Sequence, residues 1–259
     1  MGILNVTPDS FSDGGRYADV DAALDRAAQM VAEGALIVDV GGESTRPGST
    51  GVDAATETAR VVPVIERIAA SLDVAISIDT RKPEVMAAAL AAGAHIINDV
   101  TALRAPGALA MAAASGAGVC LMHMQGEPAT MQVDPRYEDV VREVRDHLVE
   151  RRAACVAAGV AAAAIALDPG IGFGKTLEHN LSLLRGLPEF AALGAPLLLG
   201  VSRKGMIGRI LGAGTERRLY GGIGLACYGV SRGVRIVRTH DVGPTLDAMR
   251  LVDAVMQGL

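Results

Sequence analysis

Several polar residues with complementary chemistry follow short apolar segments of the chain. Asp79, Asn98 and Asp168 each end such a segment, and their carboxylate and amide groups can hydrogen-bond the edge of a flat, nitrogen-rich ring. A second set is cationic and suits an anion such as a phosphate; its members are Arg46, Arg203, Lys204, Arg238 and His240. If the fold brings both sets together, one site would hold a polar heterocycle and an anion.

Residues 168–176, DPGIGFGKT, are superficially similar to a nucleotide phosphate loop. A Walker A loop needs Gly, four residues and then Gly-Lys-Ser/Thr, which would require Gly at position 169. That residue is Pro169, which has no N–H to donate to a phosphate. We therefore interpret the segment as a turn after a strand, or as backbone that approaches a planar ligand closely beside Asp168.

The elements that carry these residues repeat eight times. The predicted strands are nearly continuous apolar runs, as in parallel strands buried on both faces; they cover residues 2–6, 36–40, 75–79, 95–99, 119–123, 164–168, 197–201 and 235–239. Helical segments lie between them, for example 20–33, 54–70, 83–92 and 138–158.

Eight β–α pairs without a Pro/Ser-rich linker predict one domain over residues 1–259, an α/β protein with the (β/α)8 TIM-barrel fold. A doubly wound open sheet is the structural alternative. In a parallel barrel, the carboxyl ends of all strands meet on one face, where active sites form. The polar strand ends would therefore converge there.

Composition limits the partners. The formal net charge of −5 gives no basic surface for nucleic acid, so we predict no nucleic-acid partner. The apolar runs are far shorter than the ~20 residues of a membrane span, and the first residues lack the basic region of a signal peptide. Three isolated cysteines show no metal or redox spacing. These features predict a cytoplasmic protein with small-molecule partners and no membrane association.

Eight ordered segments resemble those of dihydropteroate synthases, a pterin-binding family. They are MGILNVTPDSFSDGG (1–15), DVGGESTRPGS (39–49), SIDTRKPEV (77–85), INDV (97–100), LMHMQGEP (121–128), LDPGIGFGK (167–175), GVSRK (200–204) and VRTHDV (237–242). The resemblance implies a (β/α)8 barrel, as the strand count does independently. It also implies a transferase in which 4-aminobenzoate displaces pyrophosphate from (7,8-dihydropterin-6-yl)methyl diphosphate, giving 7,8-dihydropteroate.

The resemblance further implies roles for individual residues. Pterin binding falls to Asp79, Asn98, Met122, Asp168, Lys204 and Arg238. The 4-aminobenzoate would be bordered by Thr45, Arg46, Pro47, Phe173 and Ser202. Pyrophosphate would contact Asn5, Arg46, Arg238 and His240, and the implied cofactor Mg²⁺ would be held by Asn5 and Asp13. Asp168, Lys204, Arg238 and His240 would be catalytic in an SN1-like substitution, and the family implies a homodimer.

Other polar residues are assigned structural roles. Asp39 and Glu43 are expected to cap loop N–H groups, and Asp99 to point away from Asn98. We expect His123 to be packed or hydrogen-bonded rather than a metal ligand. His147 is expected on the surface or on a helix, Asp241 to orient His240 or cap the following helix, and Lys175 has no assigned role.

Three departures from the family pattern stand out. Gly205 replaces a common Ser, and glycines in the predicted last helix, 221–233, should soften it. The chain begins inside the first predicted strand, so we expect the barrel to lack the family's N-terminal extension. Two alternatives remain open here. A pterin- or folate-binding methyltransferase fits Asp79, Asn98 and Asp168 as well, and the departures keep open a catalytically degenerate pterin-binding homologue.

Overall fold

The computed structural model describes residues 1–7, 15–44, 48–49 and 51–258, and of residues 15–18 the backbone alone. Within these ranges, none of the helices combines the length and the apolar character that crossing a bilayer requires.

Eight parallel strands of the described residues form the centre of the fold. They are β1 (Gly2–Asn5), β2 (Ile37–Gly41), β3 (Ala75–Asp79), β4 (Ile96–Asp99), β5 (Gly118–Met122), β6 (Ile165–Asp168), β7 (Leu198–Gly200) and β8 (Ile236–Arg238). Strands β1 to β6 pair in chain order, and β7 pairs with β8. Bridges between Leu167 and Leu197 and between Gly2 and Thr239 join the two sheets. The sheet is thus closed into a barrel, which confirms the predicted (β/α)8 fold over the open sheet.

Helices surround the barrel. In the described chain they are α1 (Gly15–Ala32), α2 (Ala54–Ser71), α3 (Pro83–Ala91), α4 (Ala108–Ser115), α5 (Val140–Ala157), α6 (Leu177–Arg185), α7 (Leu187–Ala191), α8 (Gly205–Leu211), α9 (Leu219–Ser231) and α10 (Val242–Gln257). Side-chain caps fix several starts: Asp53 accepts the N–H of Thr56, and Asp139 accepts those of Val141 and Arg142.

The strands are buried on both faces, as continuous apolar runs predict. In β2, Val38, Asp39 and Val40 are all fully buried, although only alternate side chains can share a face. Val38 and Val40 belong to the main apolar core, whereas the Asp39 carboxylate contacts Arg238 of β8. The barrel interior is therefore polar at this level, while its wall against the helices is aliphatic.

Helix α9 contains the glycines that the sequence suggested would soften the last helix. It is the penultimate helix, because α10 follows β8. A Cβ at Gly221 would lie 2.5 Å from Cγ2 of Ile207, and one at Gly229 would lie 2.5 Å from Cδ2 of Leu199. These glycines let α9 pack closely on α8 and β7, so contacts of the helix face offset part of their cost to the helix.

Candidate active site

The strand register aligns three predicted site residues, Asn5, Asp79 and Asn98, in one row with Gly41. Asn5 pairs with Gly41, Gly41 with Asp79, and Asp79 with Asn98, on four consecutive strands. Gly41 contributes no side chain: a Cβ there would lie 3.6 Å from Cβ of Asp79 and 3.7 Å from Oδ1 of Asn5. The row therefore has a gap between the Asn5 amide and the Asp79 carboxylate, at the carboxyl ends of the strands.

A central ion network occupies the barrel interior beside this row; it consists of Asp39, Asp79, Asn98 and Arg238. Arg238 donates from Nε to Oδ2 of Asp39 at 2.6 Å and from Nη2 to Oδ2 of Asp79 at 2.7 Å. Asn98 donates from Nδ2 to the same Oδ2 of Asp39 at 3.2 Å. Because Asp39 orients both Arg238 and Asn98, the expectation that it caps loop N–H groups is wrong.

The pKa values of Asp79 and Arg238 are both raised, but for different reasons. Burial raises the pKa of Asp79 to about 7, opposed by the Arg238 charge and reinforced by Asp39. Burial tends to lower the Arg238 pKa, but the two carboxylates outweigh it and raise that pKa. The second oxygens of Asp39 and Asp79, Oδ1 in each case, are buried without a hydrogen-bond partner. Such unpaired acceptors are suited to N–H groups of a bound ring.

Asp168 and Lys204 lie on the opposite part of the rim. Oδ1 of Asp168 accepts the N–H of Gly170 at 2.7 Å. Burial raises the Asp168 pKa, whereas that hydrogen bond and the charge of Lys204 lower it. Burial lowers the pKa of Lys204 to about 8, against the opposing effect of Asp168. The Lys204 ammonium lies 4.1 Å from the ring centroid of Phe173, a cation–π contact.

Met122 lies in register with Asp168 and belongs to a small apolar cluster. The cluster consists of Val100, Met122, Met124 and Met131, with Phe173 packed against it. The family resemblance implies that Met122 lines the pterin pocket and Phe173 the 4-aminobenzoate pocket. In the structure, one apolar cluster connects the two side chains, so pockets built on them would share a wall.

Glycines of residues 168–176 serve chain packing rather than a phosphate. Gly170, Gly172 and Gly174 have φ of 70°, 86° and 62°, values that favour glycine. A Cβ at Gly170 would overlap the carbonyl oxygen of His123, and one at Gly174 would overlap that of Gln125. The close approach of Gly170 is thus to the chain after β5, and Gly172 lies against the Lys204 side chain.

Residues at the ends of β7 and β8 are joined in two consecutive pairs. Ser202 Oγ lies 3.0 Å from Nδ1 of His240 and accepts the His240 N–H at 3.2 Å. Arg203 donates to both carboxylate oxygens of Asp241, at 3.1 and 2.6 Å. Asp241 is the N-cap residue of α10 but makes no side-chain cap hydrogen bond, so the helix-capping half of its expectation is wrong. Ser202 and His240 are positioned together although they were assigned to different ligands.

The structural assignments of other residues are mostly confirmed. Glu43 accepts the N–H of Val52 at 2.8 Å and forms an ion pair with Lys82 at 2.6 Å. Asp99 accepts N–H groups of Thr101 and Leu103 away from the interior row. His123 is buried and hydrogen-bonded, as expected.

Four predicted site residues lie outside the described residues: Asp13, Thr45, Arg46 and Pro47. Across the described part of the chain, no group of three His, Cys, Asp or Glu side chains could hold a metal ion. Of the two Mg²⁺ ligands that the family resemblance implies, Asn5 is the one within the described residues, and it could offer its amide oxygen. So small a set of protein ligands fits a cation that keeps several waters and takes its remaining ligands from substrate phosphates, as Mg²⁺ commonly does.

Known proteins resemble this chain over nearly its whole length. The model of the family described as "Pterin binding enzyme" matches residues 1–240. Dihydropteroate synthase of Escherichia coli K12 is 52% identical over 256 residues, which cover 99% of this chain and 91% of the relative. The Yersinia pestis dihydropteroate synthase with a sulfonamide drug complex aligns with a TM-score of 0.93 at 46% identity, covering 100% of this chain and 93% of that chain.

Two structures of Xanthomonas albilineans dihydropteroate synthase are also similar. The structure with 4-aminobenzoic acid has a TM-score of 0.93 at 48% identity. The structure with 7,8-dihydropteroate has a TM-score of 0.90 at 45% identity. Each alignment covers 98% of this chain and 92% of the other.

Proposed function

Because the chain belongs to the pterin-binding enzymes and, among them, to the dihydropteroate synthases, transferases of folate biosynthesis, we propose that it condenses (7,8-dihydropterin-6-yl)methyl diphosphate with 4-aminobenzoate. The products are 7,8-dihydropteroate and pyrophosphate. One observation carries the proposal: buried acceptors with unpaired oxygens, Asp39 and Asp79, lie beside Arg238 on the face where Asp168 and Lys204 also lie.

The pterin is assigned to the barrel interior. Asp79 and Asn98, neighbours in the strand register, supply acceptor and donor groups for the amino-pyrimidinone edge of the ring. Asp168 and Lys204 bind from the other side of the rim, and Met122 supplies an apolar wall. Arg238, whose side chain is 21% exposed, presents the flat guanidinium to the ring face while two of its five donors stay on the two carboxylates.

The 4-aminobenzoate is assigned to the space bordered by Phe173 and Ser202. Phe173 packs against the apolar cluster that includes Met122, so an aryl ring against Phe173 would lie next to the pterin. Thr45, Arg46 and Pro47 are proposed for the rest of this border. Support comes from the 4-aminobenzoic acid and dihydropteroate complexes of the Xanthomonas albilineans relative.

The diphosphate is assigned to Asn5, Arg238 and His240, with Arg46. Arginine and histidine donors stabilise the charge that develops on a departing pyrophosphate. When bound, Mg²⁺ would supply further charge neutralisation at the diphosphate oxygens; Asn5 and Asp13 are the proposed protein ligands. The chain's own contribution is to place Asn5, Arg238 and His240 at the carboxyl ends of the first and last strands, at one end of the ligand.

The proposed reaction is a dissociative, SN1-like substitution. The bond between the pterin methylene carbon and the diphosphate oxygen breaks first, and its electron pair leaves with pyrophosphate. The electron-rich dihydropterin stabilises the resulting cation. The buried carboxylate of Asp168 is proposed to stabilise the same positive charge. The neutral amine then forms the C–N bond and releases a proton, so the enzyme's main task is to position it.

The function is tested by measuring pyrophosphate release from the dihydropterin diphosphate with and without 4-aminobenzoate. We expect release that depends on 4-aminobenzoate and yields dihydropteroate. Binding of pterin without any such release would favour the catalytically degenerate homologue. The names of the relatives favour the synthase over a methyltransferase.

The metal assignment is tested with Asn5→Ala. Removal of the amide oxygen should raise the Mg²⁺ concentration required for half-maximal turnover by about tenfold, the loss of one ligand interaction worth about 1.4 kcal/mol. Titration of pyrophosphate release with Mg²⁺ measures this, with the unmodified protein as the reference. An unchanged Mg²⁺ dependence in Asn5→Ala would remove Asn5 from the metal site.

A further inference from the structure

Lys175 ends the glycine-rich segment and is buried, with only 2% of its surface exposed. Its ammonium lies 3.0 Å from Nδ1 of His123 and donates to the carbonyl oxygens of His123 at 3.3 Å and of Phe173 at 2.9 Å. We call Lys175, His123 and Phe173 the lysine clasp. It joins the chain after β5 to the loop after β6.

Burying an ammonium group costs more free energy than burying an apolar side chain of the same size. The clasp acceptors are a neutral ring nitrogen and two carbonyl oxygens, so burial of the charge is compensated by hydrogen bonds rather than by a direct ion pair. Burial lowers the pKa of Lys175 to about 7, with Asp168 acting against this shift and Lys204 adding to it. A side chain that served only packing would be apolar at this position, so the three donor contacts need another explanation.

Phe173 lies between two lysines that act on different parts of it. The Lys204 ammonium is 4.1 Å from its ring centroid, while the Lys175 ammonium holds its backbone carbonyl. Lys204, at the rim, therefore sets the direction of the Phe173 ring. Lys175 holds the Phe173 backbone and ties it to His123 at the end of β5. These two contacts fix where the Phe173 ring stands relative to Met122 and the pterin face.

We propose that Lys175 is a positioning residue for the aryl-amine substrate, because its hydrogen bonds fix the backbone of Phe173 and hence the wall of the aminobenzoate pocket. The inference rests on the proposed function and deepens it. Lys175 touches neither the reacting atoms nor the ligand; it acts through Phe173.

Other hydrogen bonds hold the same loop without reaching Phe173. The hydroxyl of Tyr137 donates to the carbonyl of Gly174 at 2.8 Å, and Asn180 accepts the Gly172 N–H at 2.6 Å. Tyr137→Phe therefore removes one loop hydrogen bond, one residue from Phe173, and leaves the clasp intact. It is the matched control for a general loss of loop anchoring.

The experiment compares Lys175→Met, which keeps most of the side-chain length without the donors, with Tyr137→Phe and the unmodified protein. Steady-state pyrophosphate release gives KM for each substrate and kcat, and fluorescence titration gives the Kd of 6-hydroxymethylpterin. Lys175→Met should raise the KM for 4-aminobenzoate by about tenfold, as expected for lost charge-assisted hydrogen bonds. Its pterin Kd should stay within about twofold, and Tyr137→Phe should change both constants by less than about threefold.

Three results would overturn the proposal. They are an unchanged KM for 4-aminobenzoate in Lys175→Met, an equal loss of pterin affinity, and an equal effect of Tyr137→Phe. Lys175→Gln, which keeps a donor, serves if Lys175→Met does not fold, and should show a smaller rise in the same KM. If neither variant folds, Lys175 is a stability residue and the proposal is wrong. Failure of the proposed function looks different: the unmodified protein would release no pyrophosphate with 4-aminobenzoate, while pterin still binds.

Discussion

The central ion network and the lysine clasp each bury a cation near the mouth of one barrel, but with opposite consequences for its charge. Arg238 contacts two carboxylates, Asp39 and Asp79, and its pKa is raised. Lys175 contacts one ring nitrogen and two carbonyl oxygens, and burial lowers its pKa to about 7. Partner chemistry, rather than burial, therefore decides whether a buried cation stays charged.

The two regions also differ in what holds them. The network is carried by strands β2, β3, β4 and β8, whose register fixes the side chains before any ligand arrives. The clasp depends on a loop with three glycines at positive φ. The network is therefore positioned by strand register, whereas the clasp is positioned by hydrogen bonds between two loops.

The largest effect should come from breaking the network with Asp39→Ala. Removing one partner of a buried ion pair costs about 3–5 kcal/mol, because the other charge stays buried and unpaired. The free energy of unfolding, from urea titration, should fall by about this amount, and the Asp79 pKa should drop because a negative neighbour is lost. Asp39→Asn keeps an acceptor for Arg238 and should lose less. A cost below about 1 kcal/mol for Asp39→Ala would show that this buried ion pair contributes no more to stability than an exposed one.

Gly170→Ala should perturb the clasp side by a smaller amount. Position 170 has φ of 70°, and an added Cβ would overlap the His123 carbonyl that Lys175 also contacts. A cost of about 2–3 kcal/mol in unfolding free energy is expected, with a rise in the KM for 4-aminobenzoate. Gly205→Ala is the matched control, since a Cβ there meets no atom within 4 Å. Equal stabilities of the two variants would show that the loop relaxes freely.

A pH series on Lys175→Met should give the smallest effect and sharpen the contrast in charge. The folded pKa of Lys175, about 7, lies below its ordinary value of 10.5, so the unfolded state binds more protons between these pH values. Stability of the unmodified protein should therefore rise with pH in this window, by at most about 1.4 kcal/mol per unit relative to Lys175→Met. The difference removes the contributions of groups that do not interact with Lys175; Asp168, Lys204, His123 and His147 do interact with its charge, so their changes are part of the measured difference. Unfolding free energies at pH 7, 8 and 9 measure it; a flat difference would place the pKa elsewhere.

Local patterns predicted the fold well because each strand is a continuous apolar run between helices. All eight predicted strands lie within one residue of those observed at each end. Strand alternation also placed Asp99 away from Asn98, and its carboxylate does accept loop N–H groups. Such features depend only on periodicity within a few residues.

Side-chain pairing across the barrel could not be predicted in the same way. Asp39 and Arg238 are 199 residues apart, and Lys175 and His123 are 52 apart, so no local spacing relates them. The sequence pattern indicated that Asp39 would cap a loop, which is the ordinary behaviour of a carboxylate at a strand end. His147 lies on a helix as expected, yet its ring stands edge-on to that of His123 at 4.9 Å. One available signal was strand alternation. Asp39 and Gly41 are two residues apart in β2, so they share one face of the strand, which is the interior face.

The seam of the barrel has a consequence for how the protein acquires its binding site. Strand β8 meets β1 where Ile3 donates to the carbonyl of Thr239, next to Arg238. This contact between sequence-distant segments pays a large loop-closure entropy, and such contacts are typically slow to form. Arg238 lies at this seam, and its contacts with Asp39 and Asp79 join the last strand to β2 and β3. Refolding followed by pterin fluorescence should therefore lag behind helix formation, which makes ligand binding a reporter of the final step of folding.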